Sequence, residues 1–405
     1  MLDVTRLYCS QPPPAEAGVE AAPSASPGTP VVVWNSTRDC NLSCPNCFSD
    51  ASPSNRSGEL TTEEARAMIK DLGEFHAPAL VFSGGEPLLR PDLAELIRLA
   101  RELGIRPVLF TNGTLVTSEM AERLKSAGCN YVGISIEGLG DSHDRLRGRE
   151  GAFDAALQGL RNCTRAGLQV GLRLTLAQRT LAEVEAVFDF VEREGIPQVC
   201  FSHLVYAGRG NHMRPDDLTH AESREVMDLI LRRTLDFCTR KVKARVLTDE
   251  NDVDGVYIYL KLSRIDRQKS ANVLQFLKMS GGARSGSGVG LGNIDSEGHV
   301  HAHPFWTNHS FGNVKRRPFS KIWCDRSDPL LAGLRDRLPL LKGRCALCAW
   351  KELCGGSSRV RAEDVYGDPW MHDPACYLTQ EEILQNIPKT AGRKEEELLL
   401  ERQAA

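Results

Sequence analysis

The chain has 405 residues, 41% hydrophobic and 25% charged, with 50 basic against 53 acidic side chains and a formal charge of −3. That is the composition of an ordinary globular protein with material for one large domain and a smaller one. The balanced charge leaves no basic stripe for nucleic acid, no stretch approaches the roughly 18 apolar residues of a membrane span, and the N-terminus lacks a secretory pattern, so a soluble, cytoplasmic protein is expected.

Residues 1–30 read as a flexible leader, because Gln11 to Pro30 is rich in Pro, Ala, Ser and Gly and has little to bury. From Val31 onward, short β-rich runs alternate with amphipathic segments. The strands are expected at Val31–Trp34, Ala79–Ser83, Pro107–Thr111, Tyr131–Ile136, Val170–Leu176 and Val199–His203. Helices are expected between them at Thr61–Phe75, Ser118–Ala127, Phe153–Ala166 and Leu181–Glu194, most of them followed closely by a glycine. Near-continuous apolar strands alternating with helices imply an α/β fold, a parallel sheet with helices outside it. After a charged helix at Ala221–Cys238 the chain becomes polar and Gly-rich. The expected division is a core at 31–235, a smaller domain at 236–383, and a charged tail at 384–405.

Thirteen cysteines in a reducing compartment point to metal ligation or catalysis before disulfides. Seven form two clusters, while Cys9, Cys129, Cys163, Cys200, Cys238 and Cys324 stand singly and read as small buried or idle thiols. The first cluster, Cys40, Cys44 and Cys47, is a C-x3-C-x2-C loop directly after the first strand. Three thiolates fall short of a closed zinc site unless His143 or another distant residue supplies a fourth ligand. In a four-iron cubane, three cysteines leave one iron open for an exogenous ligand, and an open metal position is a mark of chemistry. The place agrees, since ligands of open α/β sheets and barrels gather at the carboxyl ends of strands.

The run Cys40-Asn-Leu-Ser-Cys44-Pro-Asn-Cys47 resembles the radical SAM signature. The resemblance implies a partial (β/α)6 TIM-like barrel, a SAM-binding 4Fe–4S cluster held by the three cysteines, and S-adenosylmethionine chelating the open iron. Asn46 departs from the aromatic or His that many members carry there. Gly84-Gly85-Glu86-Pro87 resembles the family's GGEP turn, in which Glu86 would accept the methionine ammonium. Asn112 follows the third strand; by similarity, Ser135 would contact the ribose and Arg147 the SAM carboxylate. The implied electron donor is a flavodoxin- or ferredoxin-type reductant.

The second cluster, Cys345, Cys348, Cys354 and Cys376, has enough thiols to close a cubane, although zinc also suits its C-x2-C start. It resembles the SPASM and twitch auxiliary-cluster domains, which implies an auxiliary 4Fe–4S cluster; Cys324 could replace one ligand. Polar segments around Ser202–Asn211, Asn251–Tyr257, His299–His303, Trp350–Gly356 and Asp373–Leu378 resemble the NirJ-type proteins of haem d1 biosynthesis. That resemblance implies an iron-containing tetrapyrrole substrate, 12,18-didecarboxysiroheme, from which two propionates are removed. Siroheme-pathway relatives that remove acetates or decarboxylate propionates remain an alternative, as does a peptide maturase. A carboxylate-rich macrocycle needs Arg and His around an apolar slot, for which Arg173, His203, Arg209, His301 and His303 are available. His203 and Arg209, at the mouth, are the expected catalytic pair.

Overall fold

The computed structural model describes residues 1–9, 28–45, 47–279 and 286–385, with backbone alone at 210–213. Its strands are β1 (Leu2–Asp3), β2 (Val31–Asn35), β3 (Ala79–Ser83), β4 (Arg106–Thr111), β5 (Tyr131–Ser135), β6 (Gln169–Leu176), β7 (Gln198–His203), β8 (Arg245–Asp249), β9 (Leu291–Ile294) and β10 (Val300–His301). They make one sheet in the order β1-β8-β7-β6-β5-β4-β3-β2-β9-β10. Every pairing from β8 through β2 to β9 is parallel, and only the end strands β1 and β10 are antiparallel. The sheet does not close, so the barrel is partial and one end of its strands is free to form a mouth.

The strands are buried on both faces, as their apolar runs require; all five residues of β3 are buried. The helices between them cover the outside with one apolar stripe each. Thr62–Glu74 buries Ala65, Met68, Ile69 and Leu72, and Thr61 with Glu64 closes a capping box at its start. All six expected strands and the expected helices are present within two or three residues of their expected ends.

Three features depart from the sequence reading. The first nine residues belong to the fold: Leu2 and Asp3 pair with Thr248 and Leu247, and Val4 on the helix Val4–Cys9 is fully buried. The expected leader is therefore corrected there, and its remainder, 10–27, lies outside the described residues, as does most of the tail, 386–405. The sheet is also not confined to 31–235. The helix His220–Arg240 runs straight through that boundary into β8, and β9 returns from residue 291 to flank β2. Finally, Cys9 and Cys238, read as idle thiols, form a disulfide that ties the N-terminal helix to His220–Arg240. Among the described residues no helix is long and apolar enough to cross a membrane.

Candidate active site

The loop after β2 is held by a continuation of the sheet ladder. Beyond the strand ends, Ser36 N donates to Ser83 O at 2.7 Å, Gly85 N to Thr37 O at 2.7 Å, and Glu86 N to Asp39 O at 2.8 Å. Two backbones this close leave no room for side chains: a Cβ on Gly84 would lie 2.5 Å from Thr37 O, and one on Gly85 would lie 2.3 Å from Asp39 O. Gly84 also has φ +134°, which L side chains rarely adopt. This zipper delivers Cys40 to the mouth of the sheet. Cys40 and Cys44 are buried and Cys47 half-buried. Leu42 N donates to Cys40 Sγ at 3.5 Å, and Ser49 Oγ lies 3.4 Å from Cys47 Sγ. Burial pushes the Cys40 thiol up to about 11.

The other expected residues surround this loop. Glu86 is fully buried, with Oε1 accepting from Leu88 N (3.0 Å) and Thr111 Oγ1 (2.8 Å), and Oε2 from Asn112 N (2.9 Å). It thereby joins the β3 turn to the β4 turn. Asn112 Nδ2 donates to Asn41 Oδ1 at 2.9 Å, linking that turn to the cysteine loop itself. Arg147 donates Nη1 to Cys44 Sγ at 3.5 Å and Nη2 to Ser135 O at 2.9 Å, with Glu137 Oε1 3.6 Å away. Its Nε is sealed and has no partner among the described residues. His143 is fully buried; its Nδ1 accepts from Glu137 N at 3.0 Å, so it orders the turn after β5 instead of joining the thiols. Burial, with Arg147 nearby, holds its imidazole down at about 3.

Arg209, expected to meet the substrate, is committed to the loop. Its Nε donates to Cys44 O and its Nη1 to Ala51 O, both at 3.0 Å, while its backbone N donates to Cys47 O at 2.9 Å. Five donors in a planar fork suit such a carbonyl clamp, and what they hold is the position of the thiols. His203 ends β7 at the same face and is buried, with Nε2 3.1 Å from Asp254 Oδ2. Arg173 is spent on Ser202 (3.2 Å) and Asp249 (3.0 Å). His301 uses both nitrogens, on His309 O (2.7 Å) and Asp295 (3.3 Å), and His303 lies between Phe305 N (3.3 Å) and Glu250 (3.5 Å).

Cys345, Cys348, Cys354 and Cys376 line a single cavity together with Val253, Arg344, Gly356, His372, Leu378 and Ile383. Cys324 is exposed and does not line it. Burial pushes Cys345 and Cys376 up to about 11. Among the described residues no group of three or more His, Cys, Asp or Glu is placed to chelate one metal ion. A cubane asks for a different arrangement, one thiolate at each iron corner. The region is docked on the barrel by Arg361, whose Nε and Nη2 meet Asp373 (2.9 and 2.7 Å) while Nη1 reaches Leu204 O (2.9 Å) and Nη2 Glu250 O (2.8 Å).

A radical SAM superfamily profile matches residues 34–191. The chain is 48% identical to the Fe-coproporphyrin III synthase of Methanosarcina barkeri, over 95% of this chain and 99% of that protein. The chain belongs to the radical SAM superfamily. It is also 44% identical to the pre-heme d1 synthase of Dinoroseobacter shibae over 89% of each chain. Among solved structures, Streptococcus suis SuiB bound to the precursor peptide SuiA superposes with a TM-score of 0.69 at 18% identity, covering 87% of this chain and 76% of that one, a likeness of fold alone.

A radical SAM protein carries a 4Fe–4S cluster and S-adenosylmethionine, and the residues present suit both. Three thiols share one loop, and the sealed Arg147 Nε, beside Cys44, is a donor still in want of an acceptor. Sequence reasoning missed Asn41, Glu137, Asp254, Arg361 and Tyr377, which act through other residues. Each stood inside a noted run, Asn41 between Cys40 and Cys44 and Glu137 beside Ser135, but none was singled out for a role.

Proposed function

We propose that this radical SAM protein removes carboxylate-bearing side chains from an iron-containing tetrapyrrole. What carries the reading is the three-thiol loop within a chain matched almost end to end by relatives named for iron tetrapyrroles. Cys40, Cys44 and Cys47 hold three irons of the first cluster and leave the fourth for S-adenosylmethionine. Arg147 takes the carboxylate of that cofactor, the remaining lone pair of Glu86 Oε2 takes its ammonium, and Ser135 takes the ribose. When bound, cluster and cofactor together supply a 5′-deoxyadenosyl radical. Arg209 and the Gly84–Gly85 zipper keep the three thiols in register, and Cys345, Cys348, Cys354 and Cys376 hold an auxiliary 4Fe–4S cluster in a SPASM- or twitch-like region. Electrons enter from a flavodoxin- or ferredoxin-type reductant.

The finer reading is NirJ-like: loss of two propionates from 12,18-didecarboxysiroheme on the way to haem d1, in keeping with the 44% identity to a pre-heme d1 synthase. A second reading, loss of acetates to give Fe-coproporphyrin III, is favoured by the 48% identity that spans 99% of the Methanosarcina barkeri protein. One anaerobic incubation separates them. Reconstituted protein, S-adenosylmethionine, dithionite and didecarboxysiroheme are combined, and the tetrapyrrole is read by mass spectrometry. Loss of propionates supports the first reading and loss of acetates the second. Cofactor cleavage with an unaltered tetrapyrrole refutes both.

A further inference from the structure

Four histidines are buried among the described residues: His143, His203, His301 and His303. Two of them engage both nitrogens: His301 bonds Asp295 and His309 O, and His303 lies between Phe305 N and Glu250. His143 accepts at Nδ1, and its Nε2 is sealed without a partner among the described residues. His203 differs. Its one hydrogen bond among the described residues joins Nε2 to Asp254 Oδ2 at 3.1 Å, which leaves Nδ1 without a partner there.

Asp254 fixes which nitrogen carries the proton. The carboxylate is fully buried, and its other oxygen accepts from Tyr377 Oη at 2.6 Å. A carboxylate can only accept, so His203 Nε2 is the donor and Nδ1 carries the lone pair. The Tyr377 ring lies near-parallel to the imidazole, 6.3 Å between centroids and 16° between planes. A histidine backed through one nitrogen by a carboxylate, with the other nitrogen free, is the arrangement that orients a metal-bound imidazole. Position agrees as well. His203 ends β7, and five residues further on Gly208 packs on the cysteine loop, where a Cβ would lie 2.4 Å from Phe48 O and 2.6 Å from Cys47 O.

We infer that His203 Nδ1 is an axial ligand to the iron of a bound tetrapyrrole, oriented from behind by Asp254 and Tyr377. The inference rests on the tetrapyrrole reading above. It also gives the substrate a fixed point at the mouth that does not depend on its carboxylates.

The test uses the reconstituted full chain, titrated anaerobically with ferric coproporphyrin III and with metal-free coproporphyrin III. The wild type should bind the iron form about tenfold more tightly than the metal-free form and, when labelled with nitrogen-15 histidine, show nitrogen coupling to the ferric iron by pulsed EPR. His203→Ala should bring the two affinities together and abolish that coupling, and added imidazole should restore a ligand. His203→Gln, which keeps a donor for Asp254, serves if the alanine variant does not fold. Asp254→Asn should weaken the iron form by about tenfold and leave the metal-free form unchanged. Histidine coupling that persists in both His203 variants overturns the inference while the tetrapyrrole reading stands. If neither porphyrin binds the wild type, the tetrapyrrole reading falls and takes the inference with it.

Discussion

Arg361→Met removes a side chain that joins the C-terminal cysteine region to two strand ends of the barrel. Four hydrogen bonds go: two to Asp373 and one each to Leu204 O and Glu250 O. Both partners of the ion pair are fully buried. Asp373 keeps two donors, Ser358 N at 2.9 Å and Ala375 N at 3.0 Å, and Arg359 remains as the nearby positive charge, but the direct ion pair is gone. Breaking one side of a buried pair costs about 3–5 kcal/mol. With a melting entropy of about 2.1 cal/mol/K per residue, a chain of this size should melt roughly 4 to 6 °C lower. The assay is calorimetry of the reconstituted protein at one scan rate, since a large chain that unfolds irreversibly reports kinetic as well as equilibrium stability. Arg361→Lys should lose nearly as much, because a single ammonium cannot reach all four acceptors. Adding Asp373→Asn to Arg361→Met should lose less than the sum of the two single changes. If Arg361→Met melts within about 1 °C of the wild type, the docking argument is wrong.

Gly85→Ala, whose Cβ would lie 2.3 Å from Asp39 O, should displace the cysteine loop. Iron at the first cluster and cofactor cleavage should both be lost while iron at the C-terminal cysteines is retained, as read by iron analysis and Mössbauer spectroscopy. Cys354→Ala should do the converse, bringing total iron from about eight to about four per chain; unchanged iron would exclude the auxiliary cluster. His143 is held neutral at about 3. Because its folded value lies below the unfolded one, the unfolded chain takes the proton first, so its contribution is full above about pH 6.5 and is lost as pH falls toward 3. The loss is about 1.4 kcal/mol per pH unit. His143→Gln should flatten that part of the stability–pH curve, and an unchanged slope between about pH 6.5 and 4.5 would refute the assignment.

The six central strands were legible because burial on both faces demands apolar runs, which composition alone exposes. Leu291–Ile294 was not, because its strand character comes from its partner. Gly292 sits in that strand with Trp323 packed where a side chain would be, 2.8 Å from its Cβ position, and a Leu-Gly-Asn-Ile run shows no alternation. Leu2–Asp3 is too short to carry any period. At the site, the thiols announced themselves by spacing. Arg209 was legible as a cation at the mouth but its partners were not, since they are carbonyl oxygens, which leave no mark in a sequence. His203 was found by its place after a strand, while Asp254, 51 residues beyond the histidine, and Tyr377, 123 residues beyond Asp254, were brought to it only by folding.

β2, the strand that bears the cysteine loop, is flanked by an early neighbour, β3, and a late one, β9, where Asn293 Nδ2 donates to Val33 O across 260 residues of sequence. At about 5 to 20 residues per second of synthesis, one edge of β2 waits on the order of 10 to 50 s for its partner to leave the ribosome. For that interval a parallel strand edge and three thiols stand next to each other on a nascent chain, open to strand addition and to adventitious metals. The order of translation thus leaves that edge of β2 open until β9 has been made, before the C-terminal cysteines exist.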